Sequence, residues 1–79
     1  MIKTAAGEIV GNVPLRRFIR IKEVQLVTGL PRATVYQKMA EGVFPKNFRL
    51  TPRIVGWLAD EIAAWQQARI AERDNREAA

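Results

Sequence analysis

The hydrophobic positions of residues 22–41 follow a helical period that is interrupted once. Val24 and Val27 lie three residues apart, which predicts a short helix over Lys22–Thr28 with both side chains directed inward. Gly29 interrupts the pattern at the end of this helix, because glycine adopts the left-handed backbone conformation at little steric cost. The pattern therefore predicts a first helix that ends in a glycine turn.

A second helix is predicted over Pro31–Glu41. Proline suits the first helical position, where its missing N–H is no loss, and the glycine at position 42 ends the helix. Val35 and Met39 lie four residues apart and should face the core. The opposite face carries Ala33, Thr34, Gln37 and Glu41. Two short helices joined by a tight turn, the second with a polar outer face, predict a helix-turn-helix.

A small hairpin is predicted after the second helix. Phe48–Leu50 and Ile54–Trp57 can pair as two strands across Thr51–Arg53. The cationic and amide side chains of this segment are Lys46, Asn47, Arg49 and Arg53, without an acidic residue among them. The segment suits a basic wing that contacts a nucleic-acid backbone, although an ordinary hairpin with exposed charges has the same pattern.

The longest helix is predicted over Leu58–Arg73. Leu58, Ile62 and Trp65 form a stripe at helical spacing, so Trp65 is expected in the core rather than on a base-stacking platform, and the same holds for Trp57.

The remaining segments are predicted to be shorter and less regular. Arg16–Ile21 alternates as in a short strand, and its three arginines either reach phosphates or are simply solvated. Residues 1–15 are expected to form a flexible arm, with a short extended piece at Glu8–Val10, and residues 74–79 a frayed tail. A winged helix-turn-helix domain is then expected to span residues 16–73.

The charge of the chain is unevenly distributed. Its 79 residues carry a net charge of +5. Residues 1–15 are neutral, residues 16–53 hold nine basic and two acidic groups, and residues 54–79 hold three basic and five acidic groups. The positive charge therefore surrounds the predicted helix-turn-helix. It favours a polyanion as partner, although a solubilising surface would have a similar composition.

Missing residue types narrow the possible chemistry. The chain has no histidine and no cysteine, so it lacks the commonest general base and the usual metal ligands. Asp60 and Glu61 are adjacent in the first turn of a helix, where the helix dipole accounts for them. We therefore expect no enzymatic activity, no cofactor and no metal. No apolar stretch approaches the roughly 20 residues of a membrane span, and the N-terminal residues lack a signal-peptide core, which predicts a cytoplasmic protein.

Several short motifs follow one another in a characteristic order. They are Ile21–Val24, Thr28-Gly29-Leu30, Arg32, Thr34-Val35-Tyr36, Glu41-Gly42, Phe44-Pro45-Lys46, Arg49-Leu50, Gly56-Trp57, Glu61-Ile62 and Trp65. In this order and spacing, residues 16–69 resemble the AlpA family of small phage and prophage transcriptional regulators, which is related to phage excisionases and MerR-type regulators. One departure is Pro31, where the family usually has Ser or Thr as a helix cap.

The predicted elements and the resemblance agree on a mainly α fold with a small β-hairpin, a winged helix-turn-helix of three helices and a two-stranded wing. The resemblance implies a DNA-binding regulator of phage or integrated-element genes. An excisionase-like architectural factor would use the same residues. A DNA-recognition module of a phage packaging protein, or a protein-interaction module built on the long helix, are further alternatives.

The second helix is expected to enter the major groove of double-stranded DNA. Gln37 is the foremost candidate for base recognition, because its amide can bind N6 and N7 of adenine together. The candidate DNA-binding residues are Arg32, Ala33, Thr34, Tyr36, Gln37 and Lys38 on the helix, and Lys46, Asn47, Arg49 and Arg53 on the wing. Because one module contacts few base pairs, self-association or cooperative binding on repeated sites is also expected.

Three of these residues have structural alternatives. Tyr36 would equally suit half-buried packing, and Lys38 would suit a solvated surface. Arg53 has two carboxylates as alternative partners, those of Glu41 and Asp60.

Overall fold

The computed structural model describes residues 9–11 and 13–78. The elements are β1 (Ile9–Val10), β2 (Val13–Pro14), β3 (Phe18–Ile19), α1 (Ile21–Thr28), α2 (Arg32–Ala40), β4 (Phe48–Thr51), β5 (Ile54–Leu58) and α3 (Ala59–Ala78). Three helices and a small antiparallel sheet confirm the predicted fold class. The architecture is that expected of a winged helix-turn-helix.

The main sheet has three strands in the order β3-β5-β4, rather than the two predicted. The predicted hairpin is present as β4 and β5, where Phe48 lies opposite Gly56. The additional strand, β3, pairs with the other edge of β5 and places Ile19 opposite Trp57. This pairing joins segments almost forty residues apart. Alternation within Arg16–Ile21 predicted the strand but not its partner.

The core lies between this sheet and the three helices. Its buried residues are Ile19, Val24, Val35, Phe44, Trp57, Leu58 and Ile62. Trp57 is fully buried, and its indole Nε1 donates a hydrogen bond to the Pro45 carbonyl oxygen at 3.1 Å. Trp65 packs against the edge of the core, with its ring 5.1 Å from that of Phe44. The core roles predicted for both tryptophans are confirmed.

Several predicted boundaries and faces were wrong. Val27 was expected inside but is 44% exposed, whereas Val24 on the same helix is buried and Ile21 packs against the core. Pro31 is the N-cap of α2, with extended ψ of 157°, so the helix begins one residue later. Leu58 ends β5 instead of beginning the last helix. That helix, α3, continues to Ala78, beyond the expected end at position 73.

The N-terminal segment contains a second, two-stranded sheet. β1 and β2 pair antiparallel across a turn in which Gly11 has a φ of 62°. A glycine suits this left-handed position. The extended piece expected at Glu8–Val10 overlaps β1, whereas residues 1–8 and 12 of the expected arm lie outside the described residues.

Candidate nucleic-acid interface

The turn between α1 and α2 is fixed by backbone geometry and by one side chain. Gly29 has a φ of 76° and donates its N–H to the Gln25 carbonyl oxygen, which closes α1. The Thr28 hydroxyl donates to the Val24 carbonyl oxygen and accepts from the backbone N–H of Leu30. Leu30 packs against the core between the two helices, as expected. The two helices of the motif therefore have a defined relative orientation.

Buried side chains and a closed C-terminus hold α2 in place. Val35 is fully buried and Met39 packs against the core at partial exposure. At the end of the helix, Gly42 has a φ of 79° and its N–H bonds to the Met39 carbonyl oxygen, while the N–H of Val43 bonds to that of Lys38. This pair of bonds is a Schellman motif. Because α2 is anchored through one face, its other face is directed outward.

The outward face of α2 carries the residues that the sequence singled out. Ala33 and Gln37 are exposed, and Thr34 and Lys38 are partly buried. Arg32 is exposed at the first position of the helix, where no side chain caps the free N–H groups. Helical spacing places Ala33 and Gln37 opposite the buried Val35, with Thr34 beside them.

Arg32 and Tyr36 belong to a stack that reaches the core. The Arg32 guanidinium lies 5.0 Å from the centre of the Tyr36 ring, and that ring packs edge-on against Trp57 at 6.0 Å. Tyr36 is thus half-buried, which is the packing role expected as an alternative to a contact with DNA. A guanidinium over an aromatic ring is held by a cation–π interaction. The stack therefore restrains Arg32 near the start of α2 and leaves it exposed to solvent.

A hydrogen bond on α2 was not foreseen from the sequence. The side-chain Nε2 of Gln37 donates to Oε2 of Glu41 at 3.2 Å. The signal for it was the spacing of four residues on one helix, which brings such side chains together. The most prominent candidate for base recognition therefore has a carboxylate neighbour.

The four wing residues divide into two groups. Arg53 is exposed in the turn between β4 and β5, and Arg49 lies on β4, where its Nη1 donates to the Pro52 carbonyl oxygen at 3.0 Å. Lys46 and Asn47 lie in the loop before β4, at the opposite end of the hairpin. The prediction placed all four on the hairpin, but the structure places only two there.

Two of the three arginines that precede α1 are engaged by carboxylates. Arg16 bonds to Asp60 at 3.0 Å, and Arg17 bonds to Glu23 at 2.9 Å. The hydrogen bond from Arg16 lowers the pKa of Asp60 below its ordinary value. Asp60 pairs with Arg16 and Glu41 accepts from Gln37, and neither carboxylate forms an ion pair with Arg53 in the described part of the chain. The alternative in which Arg53 pairs with Glu41 or Asp60 is therefore wrong.

Among the described residues, no helix combines the length and apolar character that crossing a bilayer would require.

Comparison with known proteins identifies relatives among phage proteins. The family model described as prophage CP4-57 regulatory protein (AlpA) matches residues 17–70. An uncharacterized protein of Enterobacteria phage P4, ORF88, is 39% identical over 62 residues, which cover 78% of this chain and 70% of that protein. No solved structure matches. With the family model matching most of the chain, including both helices of the motif and the wing, the chain belongs to the AlpA family of prophage regulatory proteins.

Proposed function

We propose that this protein is a sequence-specific DNA-binding transcriptional regulator of phage or integrated-element genes, in which α2 recognises bases and the wing contacts the backbone. The observation that carries the proposal is the two-sided character of α2. Val35 anchors the helix in the core, while Ala33 and Gln37 on its other side are exposed. Membership of a regulatory family supports the same conclusion.

The dimensions of α2 suit the major groove. An α-helix with side chains is about 10–12 Å across, and the groove of B-form DNA is about 12 Å wide. The amide of Gln37 would bind N6 and N7 of adenine, and the methyl group of Ala33 would lie against a thymine methyl group. Thr34 would bind a base or a phosphate. Base recognition is thus assigned to the centre of the outward face.

The cationic residues around α2 would supply affinity without sequence preference. Tyr36 and Lys38 would contact phosphates beside the recognised bases, and Arg32 would bind either a guanine through two hydrogen bonds or a phosphate. Arg53 at the wing turn and Arg49 next to it would contact the backbone or the minor groove, and Lys46 and Asn47 would contact phosphates from the base of the hairpin. If about six phosphates are engaged, affinity should fall roughly a thousandfold between 50 and 200 mM salt.

A second copy of the protein would be needed for a useful degree of specificity. The nine residues of α2 span about 14 Å, so one module reaches only a few base pairs. We therefore include cooperative binding of several copies to repeated sites in the proposal. Repeats over a promoter would fit a transcriptional regulator acting in the host cytoplasm, whereas repeats within an attachment region would fit an excisionase-like factor.

Selection of bound sequences from a random DNA pool tests the proposal. The expected result is a short enriched motif, repeated where binding is cooperative. Gln37→Ala should then weaken binding to this motif by about 1–3 kcal/mol and change binding to scrambled DNA much less. The matched control is Arg53→Ala, which should weaken both by similar amounts. Arg53 is preferred to Arg49 because Arg49 also stabilises the wing turn.

Two results would contradict the proposal. A pool without any enriched motif would exclude sequence-specific binding. An equal loss of affinity for all sequences in Gln37→Ala would exclude Gln37 from base recognition.

A further inference from the structure

We infer that Glu41 is a specificity-determining residue, which holds the side-chain amide of Gln37 in the orientation that recognises adenine. The inference rests on the proposed function of α2. Its starting observation is the 3.2 Å hydrogen bond from Nε2 of Gln37 to Oε2 of Glu41. Their backbones are also joined, since the N–H of Glu41 donates to the Gln37 carbonyl oxygen at 3.0 Å. The helix therefore sets the spacing of the two side chains.

The chemistry of a carboxylate decides which end of the amide faces it. An ionised carboxylate only accepts hydrogen bonds, so it binds the NH₂ group of Gln37 and repels Oε1. The N–H group trans to Oε1 can make this bond while Oε1 points away. The N–H group cis to Oε1 then remains free beside Oε1. The pair thus presents one donor and one acceptor side by side, with a fixed order.

This order distinguishes adenine from guanine. In the major groove, adenine offers N7 as an acceptor and N6 as a donor, whereas guanine offers two acceptors, N7 and O6. A fixed amide matches adenine at both atoms, but it brings Oε1 against O6 of guanine. An amide without its neighbouring carboxylate can rotate and donate to O6. The presence of Glu41 should therefore increase the preference for adenine over guanine.

The same carboxylate should lower affinity for DNA in general. Glu41 is exposed on the face of α2 that would enter the groove, where its negative charge would lie among phosphates. Coulomb repulsion then acts on every sequence equally. Loss of Glu41 should thus have two effects of opposite sign, with higher affinity for scrambled DNA and weaker discrimination at one base pair. A loss of stability would lower both affinities, so a purely structural role has a different signature.

The test is a double-mutant cycle on the full chain with Gln37→Ala and Glu41→Ala. Binding is measured on the selected duplex, on duplexes in which each A·T pair is replaced in turn by G·C, and on a scrambled duplex. The pair whose replacement no longer matters in Gln37→Ala is the one that Gln37 recognises. Glu77→Ala on α3 is the matched control, because it removes the same charge from another helix. Thermal melting verifies that each variant is folded.

At the base pair of Gln37, Glu41→Ala should reduce the ratio of adenine to guanine affinity by about three- to tenfold. Without its bond to Glu41, the Gln37 side chain loses rotational freedom when it binds adenine, and this entropy loss corresponds to a change of that size. The variant should also bind scrambled DNA more tightly than the wild type does. In the Gln37→Ala background, Glu41→Ala should leave the ratio unchanged. Glu77→Ala should leave it unchanged in either background.

An unchanged ratio in Glu41→Ala, with Gln37→Ala still abolishing discrimination, would overturn this inference and leave the proposed function intact. An equal change of the ratio with and without Gln37 would also overturn it, because Glu41 would then act independently. A wild-type protein without any base preference would overturn both the inference and the proposed function.

Discussion

At the scale of single residues, spacing identified most of the buried positions. Val24 and Val35 are both fully buried, as their places in the two helical patterns predicted. The prediction that Val27 is buried was wrong. A spacing of three residues places Val27 near the core side of α1, but it does not say how far the core extends. In the structure, α3 contacts this edge of α1 through Gln66, whose Nε2 donates to the Val27 carbonyl oxygen, and the Val27 side chain is partly exposed to solvent.

For the candidate DNA-binding residues, the sequence predicted which side of the helix they occupy but not their side-chain contacts. Helical angles placed Gln37 on the outward face, and it is exposed there. The contacts that orient such residues were not predicted. The Arg32 stack on Tyr36 and the Arg49 bond to Pro52 join residues four and three positions apart, but sequence spacing does not say which rotamer each arginine adopts.

Gly29 allows a test of the backbone geometry in the turn. A Cβ added at this residue would meet no atom within 4 Å, so only its φ of 76° penalises another residue. Gly29→Ala should therefore lower the free energy of unfolding by about 1 kcal/mol, and Gly29→Asn by less, because asparagine tolerates the left-handed region better. Chemical denaturation measures both. Equal stability of wild type and Gly29→Ala would contradict this account of the turn.

At the scale of elements, local patterns located the helices and the hairpin but not their long-range pairing. β3 consists of two residues, and only its alignment with β5 makes it part of the sheet. The segment before β3 is further tied to α3, since the N–H of Ala59 donates to the Arg17 carbonyl oxygen at 2.8 Å and Arg16 pairs with Asp60. Such contacts join positions more than forty residues apart, beyond the reach of periodicity.

The Arg16–Asp60 pair predicts how stability depends on pH. The pKa of Asp60 is lowered in the folded protein, so the unfolded state binds the proton more readily. The stabilisation is then present above the unfolded pKa and is lost as the pH falls through the folded one. Asp60→Asn should lower the melting temperature at neutral pH, and the difference from wild type should shrink below about pH 4.

The effect of this exposed pair should be small and should weaken with salt. Asp74→Asn is a matched control, because the Arg73–Asp74 pair lies within α3 and joins no second element. It should change the melting temperature less at neutral pH. A difference between Asp60→Asn and wild type that grows on acidification would contradict the role of the ion pair.

At the scale of the whole molecule, the positive charge is concentrated in the segments that form the helix-turn-helix and the wing. Residues 16–53, which include α1, α2, β4 and the wing turn, carry a net charge of +7, whereas residues 54–79 carry −2. The second half of α3 is exposed and rich in paired charges, such as Arg69 with Glu72. We therefore propose that DNA binds the surface of α2 and the wing, and not the outer surface of α3.

The most direct test of this assignment is an NMR titration of the ¹⁵N-labelled protein with a duplex that carries the selected motif. We expect the largest changes of backbone amide shifts in residues 32–41 and in the wing turn at residues 51–53, with small changes in residues 67–78. Saturation should occur at a defined ratio of protein to sites. The largest changes in residues 67–78, with α2 unaffected, would contradict the central claim that the outward face of α2 recognises DNA.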